Sequence, residues 1–268
     1  MTDPRDQHRI VLFGSAALEH RKAVIAFHGQ PRRGTAPRDY AFPEIMTHLA
    51  RDLVARGAIE PFALVLPVFR YEGRNWPGWF LDEFLGELAQ VVRSQGVDVD
   101  RPLLLGHSGA LGCGGDGLNH PLRIAPSGVG LFDTCIGANF VATLRTLGEH
   151  RVPTFVVQSV ETAGLVPRHV PEYDARFDFG SVFHDARLTP QSCPAELPRA
   201  PLRQQPYRCA TDPTGSVRAF VVDTGAGEAA HEAALVVGAD YFLRTTLARA
   251  HTAPRDFTSS ESNRDAAH

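Results

Sequence analysis

The chain has 268 residues, 43% of them hydrophobic, a formal charge of −3 and four cysteines. That length suits one large α/β domain or two small ones, and the apolar share is enough for a full core. The weak net charge gives no electrostatic case for nucleic acid or an anionic membrane surface as partner, and no apolar run is long enough for a membrane span.

The first residues, Met1-Thr-Asp-Pro-Arg-Asp6, are polar and lack the apolar core of a signal peptide, so a cytoplasmic location is expected. Residues 9–14 and 22–28 read as strands. Phe42, Ile45, Met46, Leu49, Leu53 and Val54 fall on one helical face. Residues 62–68 form the next strand, and the apolar positions between Phe80 and Val92 mark a second helix. Residues 102–105 are a strand, followed by strands at 128–132, 152–159 and 217–222. Helices are expected at 139–149 and 231–250. Strands alternating with helices argue for a mostly parallel sheet covered on both faces. Residues 1–250 are read as one domain, with a polar tail at 251–268 expected to be disordered.

Residues 162–215 break the rhythm. The stretch is rich in proline and carries Tyr173, Phe177, Phe179, Phe183 and Tyr207. Long segments of this kind inside a compact domain are usually functional or disordered, and the aromatics oppose plain disorder. It is read as a partly helical lid. A structural crossover is the competing reading.

The four cysteines show no C-x-x-C pair and no zinc spacing, so no metal or other cofactor is expected. Cys113 and Cys135 lie in apolar stretches and read as buried thiols. Cys193 and Cys209 bracket part of the proline-rich stretch and are able to bridge, but a reducing cytosol is expected to leave them as thiols.

Leu103-Leu-Leu-Gly106-His107-Ser108-Gly109-Ala110 carries the chemistry. A short apolar strand ends in a serine flanked by small residues, and a glycine-rich segment follows. This is how a chain builds a strand–turn–helix elbow that projects a nucleophilic hydroxyl. A serine needs an imidazole to take its proton. His231 follows the last strand through a glycine-containing loop and is the expected base. Two acids follow strands: Asp133 after 128–132 and Glu161 after 152–159. Asp133 is preferred because a short side chain one residue past a strand end has defined geometry. Glu161 is the alternative. His28-Gly29-Gln30 ends the second strand, and its glycine permits the sharp turn that aims the Gln30 N–H at the site. With the Gly109 N–H it would make a two-donor oxyanion hole. Trp76, Trp79 and His107, the variable residue of the elbow, are expected to line the substrate pocket.

The order His28-Gly29, Gly106-His107-Ser108-Gly109-Ala110, acid, His231 resembles the α/β-hydrolase superfamily over roughly residues 9–250. The resemblance implies a Ser108–His231–acid triad and hydrolysis of a carboxylic ester, a thioester or an amide through an acyl-enzyme. It also implies an oxyanion hole from Gly109 and Gln30. The superfamily most often places its acid where Glu161 sits, and a lipase-like minority where Asp133 sits. Two features depart from the pattern. Ala110 replaces the last elbow glycine, and the usual glycine and aspartate near Glu161 are missing. Acyl transfer on the same triad and a non-catalytic binding protein of this fold are the alternatives. A phosphate-binding loop is opposed by the lack of a Lys-Ser/Thr pair after the glycines.

Overall fold

The computed structural model describes residues 9–12, 21–29, 41–67, 97–110, 118, 120–134, 138–159, 179–195, 197, 208–224 and 227–248. Among the described residues nine strands form one sheet: β1 (Arg9–Leu12), β2 (Arg21–Phe27), β3 (Ala63–Leu66), β4 (Val97–His107), β5 (Gly128–Phe132), β6 (Thr154–Ser159), β7 (Thr189–Gln191), β8 (Arg208–Thr211) and β9 (Val217–Val222). Their spatial order is β1-β3-β2-β4-β5-β6-β9-β8-β7. The six strands from β3 to β9 in that order are parallel. Antiparallel strands finish both edges, β1 on β3 at one side and β8 then β7 beyond β9 at the other.

The central strands read as unbroken apolar runs because both faces of a parallel sheet are covered. Alternate side chains enter two cores. Ala23, Ile25, Val65, Leu104, Leu131 and Val156 face one layer, packed by α2 (Ala138–Glu149) and α3 (Phe179–Asp185). Val24, Ala26, Leu64, Leu105, Val157 and Phe220 face the other, packed by α1 (Ala41–Ala55) and α4 (Gly227–Thr246). Helix α1 buries Phe42, Met46, Ala50 and Leu53 along one stripe, with Pro43 in its first turn, where a missing N–H leaves no gap. Helix α4 is seated by Phe242, whose ring meets Phe132 and Phe155 edge-on at 6.2 and 5.8 Å. The expected α/β class, with a mostly parallel sheet and helices on both faces, is the one observed.

The structure differs from the sequence reading in three places. The described part of residues 162–215 packs into the core and extends the sheet, and the lid reading falls on the remainder, which lies outside the described residues. Val182 and Phe183 on α3 are buried in the first core, and β7 and β8 extend the sheet. Proline-rich composition hid a one-core-face helix and two short strands of only three and four residues. Second, Cys193 and Cys209 are joined. The β7–β8 ladder sets Gln191 opposite Cys209, which brings Cys193, two residues on, to a Cα–Cα distance of 5.2 Å. Third, α4 begins at Gly227, ahead of the expected start at 231, so His231 rides on the early turns of that helix. The expected helix at 80–92, Cys113, Cys135 and the tail at 251–268 lie outside the described residues.

Candidate active site

The chain leaves β2 in two directions. β3 pairs on one side of it and β4 on the other. The carboxyl ends of neighbouring strands at such a switch point form the natural crevice of an open α/β sheet. Here those ends are Phe27-His28-Gly29 and His107-Ser108.

Ser108 follows β4 directly and has φ 55°, in the left-handed region that L residues rarely enter. A 3-10 turn, Ser108–Ala110, continues from it. This is the backbone expected of an elbow that pushes a hydroxyl out of the sheet. The flanking residues must be small for measurable reasons. A Cβ on Gly29 would overlap Ser108 Cβ and stand 2.7 Å from both Ser108 Oγ and the Gly109 nitrogen. The backbone after β2 therefore touches the Ser108 turn only because position 29 is glycine. A Cβ on Gly106 would run into the side chain of Leu118. Ala110 departs from the glycine pattern without cost, since its methyl is buried within the first core.

Asp133 follows β5 directly, has φ 48° and is 1% exposed. Its carboxylate is fully engaged. Oδ1 accepts the Ser159 N–H at 2.8 Å; Oδ2 accepts the Ser159 hydroxyl at 3.2 Å and faces His231 Nδ1 at 2.5 Å. Its own N–H donates to the Val157 carbonyl at 2.7 Å. An ionised carboxylate can only accept, so the proton of a neutral His231 belongs on Nδ1. That leaves a lone pair on Nε2, the nitrogen on the far side of the ring. The base of α4 is held as well, because Thr224 Oγ1 donates to the Ala230 carbonyl at 2.8 Å.

Two further histidines surround the pair, both buried. His28 Nδ1 donates to the Gly29 carbonyl at 2.6 Å, and burial lowers its pKa to about 4. His107 stacks on Phe42, centroids 5.9 Å apart at 12°, and its ring lies 4.2 Å from that of His231. Burial, then the charge of His231, lowers its pKa to about 3. Both rings are thus neutral at ordinary pH.

The structure brings Ser108, Gly109, Asp133, His107 and His231 together. Gln30, Trp76, Trp79 and Glu161 lie outside the described residues. Sequence reasoning missed Ser159, which supplies two donors to Asp133. Its position at the end of a strand is visible in the sequence, but the pairing of β6 with β5 that makes the contact is not. Among the described residues no group of three His, Cys, Asp or Glu side chains is arranged to hold a metal, and no helix is long and apolar enough to cross a membrane. A cavity of about 450 Å³ lies at the other end of the sheet, lined by Lys22, Ser127, Phe155 and Arg218 among others, away from Ser108.

No family model matches the chain, and no curated protein matches it. Its fold is similar to solved structures at low identity. One is a ferulic acid esterase, 15% identical, TM-score 0.49, with 90% of this chain and 98% of that one covered. Another is the feruloyl esterase module from Clostridium thermocellum, in a mutant complexed with sinapinate, at 13% identity and TM-score 0.49, covering 94% and 93%. A thermostable esterase matches at 12% identity and TM-score 0.48, with 92% of this chain and 60% of that chain covered. In this chain a serine at positive φ directly follows β4, and Asp133 after β5 meets His231 on α4.

Proposed function

We propose that this protein is a serine hydrolase of carboxylic esters, with Ser108 as nucleophile, His231 as general base and Asp133 as the acid that orients it. The observation that carries the reading is the His231 Nδ1 to Asp133 Oδ2 contact of 2.5 Å beside a serine at φ 55°. The contact fixes the tautomer that leaves His231 Nε2 able to take a proton.

The steps follow from those roles. Ser108 Oγ attacks the ester carbonyl and passes its proton to His231 Nε2. The oxyanion that forms is held by the N–H of Gly109 and, in our proposal, the N–H of Gln30. The carbonyl re-forms, the C–O bond to the alcohol breaks, and His231 returns the proton to the departing alcohol. Water then attacks the acyl-Ser108 ester with His231 as base, releasing the acid and free Ser108. Trp76 and Trp79 are proposed to line the acyl pocket. The Cys193–Cys209 bond favours an oxidising compartment over the reducing cytoplasm expected from the N-terminus.

The test is hydrolysis of p-nitrophenyl esters of increasing acyl length by the wild type and Ser108→Ala. The wild type should release free acid. Loss of the nucleophile should lower kcat by about 10⁶-fold with the fold intact. Undiminished turnover by Ser108→Ala would remove the mechanism.

A further inference from the structure

His107 precedes the proposed nucleophile in the chain and touches the proposed base in space. Its Nε2 stands 3.3 Å from the main-chain carbonyl oxygen of His231. Its ring also packs on that of Phe42, nearly parallel to it. With 7% of its surface exposed, the residue has little area left for a substrate. We infer that His107 is a positioning residue for the general base: packed against Phe42 and His231, it donates its Nε2–H to the His231 carbonyl and thereby ties the helix that carries the base to the elbow that carries the nucleophile. The inference rests on the proposed function for its catalytic consequence, though not for its geometry.

The neighbouring carbonyl strengthens it. Ala230 and His231 occupy consecutive positions early in α4, and each carbonyl receives a donor from outside the helix. Thr224, two residues past β9, serves Ala230; His107, at the end of β4, serves His231. A carbonyl oxygen has two lone pairs, so it accepts such a donor beside its helical one. The two clamps come from different strands and fix the helix against both sliding and rotation. The side chain of His231 is meanwhile fixed by Asp133 from β5. Asp133 sets the ring; His107 sets the backbone from which the ring extends. Because Ser108 is covalently next to His107, the separation of nucleophile and base is determined through one residue.

The donor role demands a neutral imidazole with its proton on Nε2. The groups facing the ring are His231, Asp133 and His28, and burial among them disfavours a second cation. A protonated His107 would also repel the imidazolium that His231 becomes during the reaction, so neutrality serves the base twice.

The test uses His107→Phe, which keeps an aromatic ring against Phe42 and removes the donor, and His107→Gln, whose amide N–H₂ reaches a similar point. Phe should lower kcat and kcat/KM together by about a hundredfold on a small p-nitrophenyl ester, as a misplaced base does, with KM little changed. Gln should recover most of that loss. A raised KM with unchanged kcat would show that His107 contacts substrate instead. Wild-type kinetics in Phe with Gln impaired would show that only ring packing matters, and equal impairment by Phe and Gln would show that the donor does not account for the loss; either result would overturn the inference. Nitrogen-15 NMR of the imidazoles in the wild-type protein tests the geometry without turnover or variants. His107 should show a neutral ring protonated at Nε2 from pH 5 to 8. A proton on Nδ1, or titration within that range, would contradict it. Absent ester turnover with the tautomer intact would indict the proposed function and leave the clamp standing.

Discussion

The carboxyl ends of the parallel strands and the antiparallel edge at β8 and β7 are built on opposite terms. At the first, polar groups are taken out of water and backbone is bent out of its preferred range. His28, His107, Asp133, Ser159 and Thr224 are buried there, and Ser108 and Asp133 both have positive φ. At the second, β7 is exposed along its whole length and short, so little apolar burial holds it. A ladder to β8 and the Cys193–Cys209 cross-link do so instead. One region spends stability on geometry, as functional sites generally do, and the other is a constraint with no chemistry of its own. Substitutions at the first should therefore damage turnover more than folding, and those at the second the reverse.

The sharpest division is expected at Asp133. Asp133→Asn keeps the size of the side chain but no longer fixes His231 with its Nε2 free, and kcat on a p-nitrophenyl ester should fall by about 10⁴-fold. Thermal unfolding should show a native-like cooperative transition. A variant that retains kcat would transfer the acid role to another carboxylate, Glu161 first among them.

The opposite outcome is expected at the edge. The bridge spans a sequence separation of 16, and removing it with Cys193→Ser and Cys209→Ser together should cost about 3 kcal/mol of stability by the loop-entropy account. Ester turnover at 25 °C should stay near that of the wild type. A large loss of kcat without a fall in Tm would mean that the edge reaches the site.

Acid should expose the first region's burden more gently. Burial lowers His28 to about 4 and His107 to about 3. The unfolded chain takes up these protons below about pH 6.5, whereas the folded chain refuses them until the pH nears those lower values. Their contribution to stability is thus complete above about pH 6.5 and is lost as pH falls toward 4 and 3. Tm should decline across that window, and His107→Gln should decline less steeply. Equal slopes for the two proteins would show that His107 is not buried neutral.

What the sequence disclosed follows the strength of each physical constraint. Continuous apolar runs such as Leu103–Leu105 and Val129–Leu131 announce buried parallel strands, since little else needs them. Gly106 and Gly29 were legible because close backbone approach excludes a side chain. Asp133 stood out by its place one residue past β5. The bond from Ser159 could not be read, because it depends on β5 and β6 being neighbours and on their register. The contact made by His107 was hidden for a related reason. A histidine at the variable position of an elbow suggests substrate contact, and only the path of α4 shows that its partner is a main-chain carbonyl. Strands β7 and β8 were missed because they are short: β7 is an exposed edge strand of three residues, and β8, four residues long, buries only the small side chains of Cys209 and Ala210, so neither carries a hydrophobic pattern.

Ser108 as the nucleophile, activated by a histidine that Asp133 holds, is tested most directly by fluorophosphonate labelling followed by peptide mapping. One adduct is expected, on the peptide containing Ser108, formed by the wild type and lost in His231→Ala. An adduct on a different serine, or undiminished labelling of Ser108 in His231→Ala, would contradict the assignment.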